Sequence, residues 1–533
     1  MNAVLLIGAI VVLLCILLNR LSDRIGVPML LFFMVLGMVF GSDGLVKIHF
    51  DDYQAAETIC SFALIFIMFY GGFGTNWKAA RPVAVKAGVL STVGVALTAL
   101  FTGLFCYFAL GFDWRESFLV GAVISSTDAA SVFSILRARR MNLKYNTASL
   151  LELESGSNDP MSYMLTVTAM GVMSGTQTGG IGGVLLSTLW QMGVGLAGGA
   201  MVASLAVRTL KKVDLSGNGM DTVFLCAAAA VSYALPALVG GNGYLGAYLA
   251  GILLGNSAIG NKAALVHFFD GITGLAQILL FFLLGLLAFP SQIPAILLPA
   301  LVIALFLTFV SRPAALFLLM GPMRCPVRQI LLVSAAGLRG AASIVFAIMA
   351  TAGGAAMQND LFHIVFCVSL FSVALQGTLL PVVSRRLDMI DEEADVRKTF
   401  NDYQEEEALQ LMQIRIDGAH PWKDRNVREL NLPAQTLIVM VRRAGETLIP
   451  KGNTFLREGD LVILSGERYR GDGGTELREI AADDMEGWTG RRIREIGLPE
   501  DLLIVAVKKP DGTFAVPGGE TRIELGDVLV VSQ

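Results

Sequence analysis

The chain is 533 residues long, 54% hydrophobic and only 16% charged, with a formal net charge of −4. A chain this apolar has too little polar surface to cover itself in water, which excludes a soluble globular protein and makes a lipid bilayer the solvent. No basic run argues for nucleic acid, and six scattered cysteines without a C-x-x-C pair argue for neither a metal site nor a disulfide framework.

Apolar runs of about 17 to 25 residues are long enough to cross a hydrocarbon core as helices. They centre near residues 10, 35, 65, 98, 128, 159, 195, 230, 250, 280, 305, 341 and 371, predicting thirteen spans, of which the eighth and ninth are parted only by Gly240-Gly241-Asn242-Gly243. The opening run, Met1 to Leu18, lacks the charged start and cleavage site of a secretory signal and reads as the first span. Alternate loops carry the cations: Arg20 and Arg24; Lys78, Arg81 and Lys86; Arg137, Arg139, Arg140 and Lys144; Arg208, Lys211 and Lys212; Lys262; Arg324 and Arg328; Arg385 and Arg386. The intervening loops offer little beyond Lys47 and Arg115. The positive-inside bias therefore predicts an amino terminus outside and a carboxyl terminus in the cytoplasm.

The fifth and sixth spans hold acids where the bilayer is driest. Ser125-Ser126-Thr127-Asp128 lies mid-span in the fifth, and Glu154-Ser155-Gly156-x-Asn158-Asp159-Pro160 in the sixth. Each carboxylate at a helix centre costs roughly 2.5 to 3.5 kcal/mol on insertion scales, so three in one hairpin mark a functional site. Ser155 and Asp159, four apart, share a helix face, with Glu154 and Asn158 on an adjacent one. Pro160 has no amide hydrogen, so the Gly156 carbonyl loses its helical partner and the helix is expected to loosen there. Arg339 is the only charge in the twelfth run; it lies about as deep from the cytoplasmic side as Glu154, and the two are expected to form a buried pair. Asp128 and Asp159 are then left to bind either a cation or protons. Ser131, Thr166 and Gln277 read as polar contacts between helices, and Gln376-Gly377-Thr378 as either a break along the pathway or close packing. His49, His267, His363 and His420 read as surface residues. Thr92-Val93-Gly94-Val95 lacks the Tyr-Gly that would complete a potassium filter.

After Arg386 the composition turns polar. Residues 388–410 read as a linker joining the transmembrane part, 1–387, to a soluble tail that repeats itself: one module over 411–470 and a second over 484–533. Trp422-x5-Arg428-Glu429-Leu430-Asn431-Leu432-Pro433 recurs as Trp488-x5-Arg494-Glu495-Ile496-Gly497-Leu498-Pro499, and the strand Leu437–Val441 recurs as Leu503–Val507. Such a register means two copies of one small β-rich module, with Gly471-Asp472-Gly473-Gly474 in the loop between them.

Ser126-Thr127-Asp128, Glu152-x-Glu154-Ser155-Gly156-x-Asn158-Asp159, Gly337-Leu338-Arg339-Gly340-Ala341 and Gln376-Gly377-Thr378 together resemble the monovalent cation/proton antiporters, in the bacterial branch that ends in TrkA-C-like modules. The resemblance implies a multispanning α-helical membrane protein of inverted-repeat fold with two broken helices crossing near the midplane, joined to a small α/β pair of cytoplasmic modules. It also implies a homodimer and alternating access. Carried to matching positions, it makes Asp159 the principal cation and proton carboxylate and Thr127, Asp128 and Ser155 its shell, with Glu154 and Arg339 a structural pair. Asn158 stands where electrogenic relatives have a second aspartate, which implies electroneutral exchange. The third span has no acid between Phe66 and Gly74, which favours potassium over sodium. No cofactor is implied beyond the transported cation and the proton, and the tail is expected to sense a small molecule or to stabilise assembly. A ligand-gated channel, suggested by the tail alone, and a membrane sensor without transport are the competing readings.

Overall fold

In the computed structural model the chain forms two units, Met1–Gln404 and Glu405–Gln533. The structure describes residues 2–25, 28–128, 131–132, 135–136, 141–176, 180–213, 219–257, 259, 262–355, 357–391, 409–418, 420–430, 432, 436–443, 446–467, 477–482, 488–496, 503–509, 514–515 and 517–532. Most of the expected linker, the Gly471–Gly474 loop and Arg137, Arg139 and Arg140 lie outside these residues.

In the first unit each expected span centre falls on a helix or on a break between two helices. The helices are α1 (Asn2–Ile25), α2 (Met29–Phe40), α3 (Tyr53–Gly74) and α4 (Trp77–Leu110). They continue with α5 (Trp114–Ile124), α6 (Thr147–Met173), α7 (Gly180–Lys212), α8 (Met220–Leu238) and α9 (Gly243–Gly255). The last five are α10 (Lys262–Leu287), α11 (Ile293–Met320), α12 (Val327–Ala335), α13 (Ala341–Ala352) and α14 (Leu361–Arg386). Seven helices among the described residues are long and apolar enough to cross a membrane. Apolar side chains stay exposed along them, including Leu186, Leu189, Leu298 and Phe309, as a bilayer-facing surface requires. The centres near 128 and 341 coincide with the interruptions after α5 and between α12 and α13.

Packing sorts the helices into two bundles. In one, α2 packs on α10, α3 on α9 and α10, and α7 and α8 on α9; in the other, α5 lies between α4 and α6, and α14 packs on α11 and α13. The contacts of the first bundle are close because glycines remove the side chains between backbones. A Cβ on Gly285 would stand 2.1 Å from the Met34 carbonyl oxygen, and one on Gly251 2.1 Å from that of Phe69. A shift of seven spans turns the pairing of the second span with the tenth into the pairing of the ninth with the third, the signature of an internal repeat.

The second unit holds two antiparallel four-stranded sheets. In the first, β1 (Leu409–Arg415), β2 (Leu437–Arg443), β3 (Glu446–Leu448) and β4 (Leu461–Glu467) lie in the order β1-β4-β2-β3. In the second, β5 (Leu477–Ala481), β6 (Leu503–Lys508), β7 (Phe514–Ala515) and β8 (Val528–Ser532) repeat that order as β5-β8-β6-β7. The duplication extends to irregularities: both sheets slip register at the same place in the repeated strand, between Ile438 and Met440 and between Ile504 and Ala506. Helical structure among the tail's described residues is limited to single turns such as Val427–Glu429 and Ile493–Glu495.

Candidate functional site: two crossed helix breaks around a buried carboxylate

Helix α5 stops because its own hydroxyls compete for its backbone. Ser125 Oγ donates to the Ala122 carbonyl at 2.6 Å, and Ser126, Thr127 and Asp128 follow in non-helical conformation. The Asp128 amide donates instead to the Leu338 carbonyl at 2.8 Å. Leu338 belongs to the second break, Gly337 to Gly340, so the two interrupted helices cross with one backbone hydrogen bond between them. Gly340 permits the approach: a Cβ there would lie 2.3 Å from Asp128 Cβ.

Each break needs partners for the polar groups it exposes. Arg339, 1% exposed, supplies them to the first. Its Nη1 donates to the Ile124 carbonyl and, at 2.8 Å, to that of Ser126, a cation at the negative end of α5. Its amide donates to Ser372 Oγ at 2.9 Å, and Ser372 Oγ donates to Gln376 Oε1. Asp128 serves the residues after the first break, accepting from Ser131 Oγ and from the Ser131 amide at 3.4 Å.

Helix α6 brings the second acid. Ser126 Oγ donates to Asp159 Oδ1, Ser155 Oγ donates to the Thr127 carbonyl at 2.6 Å, and Asn158 Nδ2 donates to Thr127 Oγ1. Asp159 is 7% exposed and Asn158 fully buried. A cavity of about 30 Å³ is lined by Asp159, Asp128, Thr127, Ser126 and Gly340, and closed by Gln277 and Phe281 of α10 with Leu64 and Ile67 of α3. That is room for one or two waters or a largely dehydrated ion. Two carboxylates and two hydroxyls, all hard oxygen donors, suit a small cation or a proton.

Three expectations are corrected. Glu154 does not pair with Arg339: its carboxylate accepts from Arg312 Nη1 and Nη2 of α11 at 3.2–3.3 Å, with both side chains buried. Depth along two spans says nothing about which lie side by side, and α11 carries its own arginine. A lone Arg312 within the apolar run Ile293–Met320 was the signal available. Secondly, α6 does not break at Gly156 and Pro160 but runs unbroken from Thr147 to Met173. The Pro160 carbonyl is held by Asn242 Nδ2 at 2.7 Å, while Gly156 makes room for the Tyr248 ring, 2.5 Å from where a Cβ would stand. The chain after Gln376 likewise stays helical: the turn Ser372–Gln376 widens to a π-helix, Gly377 continues as α-helix, and a Cβ on Gly377 would stand 2.8 Å from Pro28 Cγ. Thirdly, His363 is no surface residue, being 1% exposed. Of the residues read as helix-to-helix contacts, Thr166 turns to its own backbone, Ser131 bonds Asp128 and Gln277 lines the cavity.

Crossed helix breaks around a buried, hydroxyl-bonded carboxylate define a secondary transporter that carries a cation or protons by alternating access. The transmembrane model for sodium/hydrogen exchangers matches residues 9–386, and the chain belongs to that family of cation/proton antiporters. The TrkA-C domain matches twice, over 411–469 and 477–532. Among curated relatives, a K(+)/H(+) antiporter NhaP of Alkalimonas amylolytica is 34% identical over 87% of this chain and 81% of its own length. A K(+)/H(+) antiporter NhaP2 of Shewanella baltica is 32% identical over 91% and 84%. The sodium proton antiporter MjNhaP1 of Methanocaldococcus jannaschii has the same fold, with a TM-score of 0.63 at 21% identity over 73% of this chain and 99% of that one.

Proposed function

We propose that the protein exchanges cytoplasmic K+ for external H+, one for one, across a bacterial inner membrane, with its amino terminus outside and its tail in the cytoplasm. The observation that carries this reading is the Asp159 carboxylate at the cavity wall, hydrogen-bonded by Ser126 and facing Asp128 and Thr127. A buried carboxylate is stable when neutralised, either by a proton or by a cation whose lost water is replaced by oxygens. Asp159 can hold one or the other but not both, and that competition is the exchange. In this role Asp159 is the binding carboxylate and Asp128 and Thr127 complete the ion's shell. Ser155 and Asn158 hold Thr127 in place through the hydrogen bonds above. Asn158 is an uncharged amide, so a single carboxylate titrates per cycle and the exchange is electroneutral. The Glu154–Arg312 pair holds α6 to α11, and Arg339 fixes the crossing.

The potassium assignment is supported by the two relatives above, which are named K(+)/H(+) antiporters and match most of this chain; a Na(+)/H(+) antiporter of Aphanothece halophytica matches at 24%. The two tail modules are proposed as sensors of a small molecule, and the exchanger as a homodimer. Dissipation of a pH gradient in inside-out vesicles on adding K+ or Na+, for the parent and for Asp159→Asn, tests the reading. The parent is expected to respond to K+ at a rate unchanged by clamping the membrane potential, and the variant to fall to background. Equal responses would sink the assignment of Asp159, and a response to Na+ alone would overturn potassium.

A further inference from the structure

His363 lies in the first turn of α14 with both ring nitrogens engaged. Nδ1 is 2.7 Å from Asp360 Oδ2, and Nε2 accepts the Phe289 amide hydrogen at 2.9 Å. Asp360 also caps the helix, its Oδ1 accepting from the His363 amide at 3.1 Å. An acceptor at Nε2 demands a lone pair there, so the ring is neutral with its hydrogen on Nδ1, donated to Asp360. A second proton has only Nε2 to go to, and it would place N–H against N–H. This site takes up a proton only by letting go of Phe289.

Phe289 sits in the loop of residues 288–292 that joins α10, whose Gln277 and Phe281 close the ion cavity, to α11. The loop thus passes from one bundle to the other, and it has a second tether. Asp43, between α2 and α3, accepts from the Ser291 amide at 3.1 Å and from Ser291 Oγ. Those hydrogen bonds hold the Asp43 carboxyl below its ordinary range. Asp43 holds Ser291 through its own carboxylate oxygens, so this tether does not run through the ring. The charged group that meets the ring is Asp360 on its own turn; that carboxylate also acts on Cys367 one turn further on and, together with Asp51, on Tyr53 at the start of α3.

We propose that His363 and Asp360 form a proton-sensing latch on the outer face: protonation of the ring frees the Phe289 loop from α14 while Asp43 keeps it on α2–α3, and exchange speeds up. The proposal rests on the exchange activity and orientation proposed above. Its first test does not need transport. In the full chain in lipid nanodiscs, amide hydrogen exchange of the 288–292 segment is followed between about pH 5 and 8 and corrected for intrinsic exchange. Protection at Phe289 is expected to fall about tenfold with acidification in the parent. It should be low at every pH in His363→Leu, and in Asp360→Asn the fall should move to about tenfold higher proton concentration, because the carboxylate that favours the charged ring is gone. Protection that ignores pH in the parent would overturn the latch. In proteoliposomes of known orientation, acidifying the outer side should raise the parent's rate several-fold and leave the rate of His363→Leu, fast throughout, unchanged. A His363→Leu profile like the parent's, or an effect only from the other face, would overturn the coupling. Should no variant or parent transport any cation, the exchange reading fails while the hydrogen-exchange result still decides the latch.

Discussion

At the scale of single residues, a buried arginine is defined by what it touches rather than by how deep it lies. Arg312 and Arg339 are both buried near Glu154, yet only Arg312 meets its carboxylate, while Arg339 donates through Nη1 to the carbonyls of Ile124 and Ser126. Arg312→Met is expected to leave Glu154 charged and unpaired, at a cost of about 3–5 kcal/mol, and Glu154→Gln with Arg312→Met to recover most of it. A double-mutant cycle on thermal unfolding checks this. A larger coupling of Glu154 to Arg339 than to Arg312 would contradict the geometry. Of the site itself, the sequence made Asp128, Asp159 and their hydroxyl neighbours legible because carboxylates are too costly in a bilayer to be incidental. Ser126 as the hydrogen-bond partner of Asp159, and Gln277 as part of the cavity wall, were not legible, since a lone serine or glutamine in a span is common.

At the scale of elements, the helix interruptions fall where hydroxyls and glycines offer the backbone other partners, and the proline leaves its helix whole. A proline removes one hydrogen bond and α6 runs on past it; at the crossing α5 ends, and its last carbonyls turn to Arg339 while the Asp128 amide turns to Leu338. Helix contacts in the first bundle are decided by glycine in the same steric sense. Gly251→Val is expected to destabilise the protein by about 1–3 kcal/mol, because its Cβ would meet the Phe69 carbonyl. Gly274→Val in α10, where a Cβ would meet nothing within 4 Å, should stay within about 0.5 kcal/mol of the parent. Comparison of their unfolding midpoints in one detergent checks both.

At the scale of the whole molecule, a membrane unit and a tail respond to different solvents. Within the tail, burial opposes ionisation of Asp460, but the hydrogen bonds from Arg443 at 2.7 Å and from the Arg457 amide outweigh it and hold its carboxyl below the usual range. A depressed carboxylate contributes stability that is complete above its unfolded pKa and disappears as pH falls through the folded one. The first module is therefore expected to loosen as pH falls below about 4, and Asp460→Asn to abolish that dependence while loosening the module at neutral pH. Hydrogen exchange along β4 in the full chain measures both. In the second copy Asp527 and Lys509 occupy the matching places, at 2.9 Å, so the duplication preserved the pairing and changed the cation.

The sequence by itself determined that this chain lives in a bilayer, where its helices lie, that its tail is duplicated and which carboxylates sit inside its spans. Each of these follows from local composition and from the cost of charge in hydrocarbon. Tertiary structure alone decided which arginine neutralises Glu154, where the helices part, and that His363 is buried between a carboxylate and a backbone amide. Those outcomes depend on which spans become neighbours, and side-by-side packing of helices leaves no periodicity along the chain from which to read it.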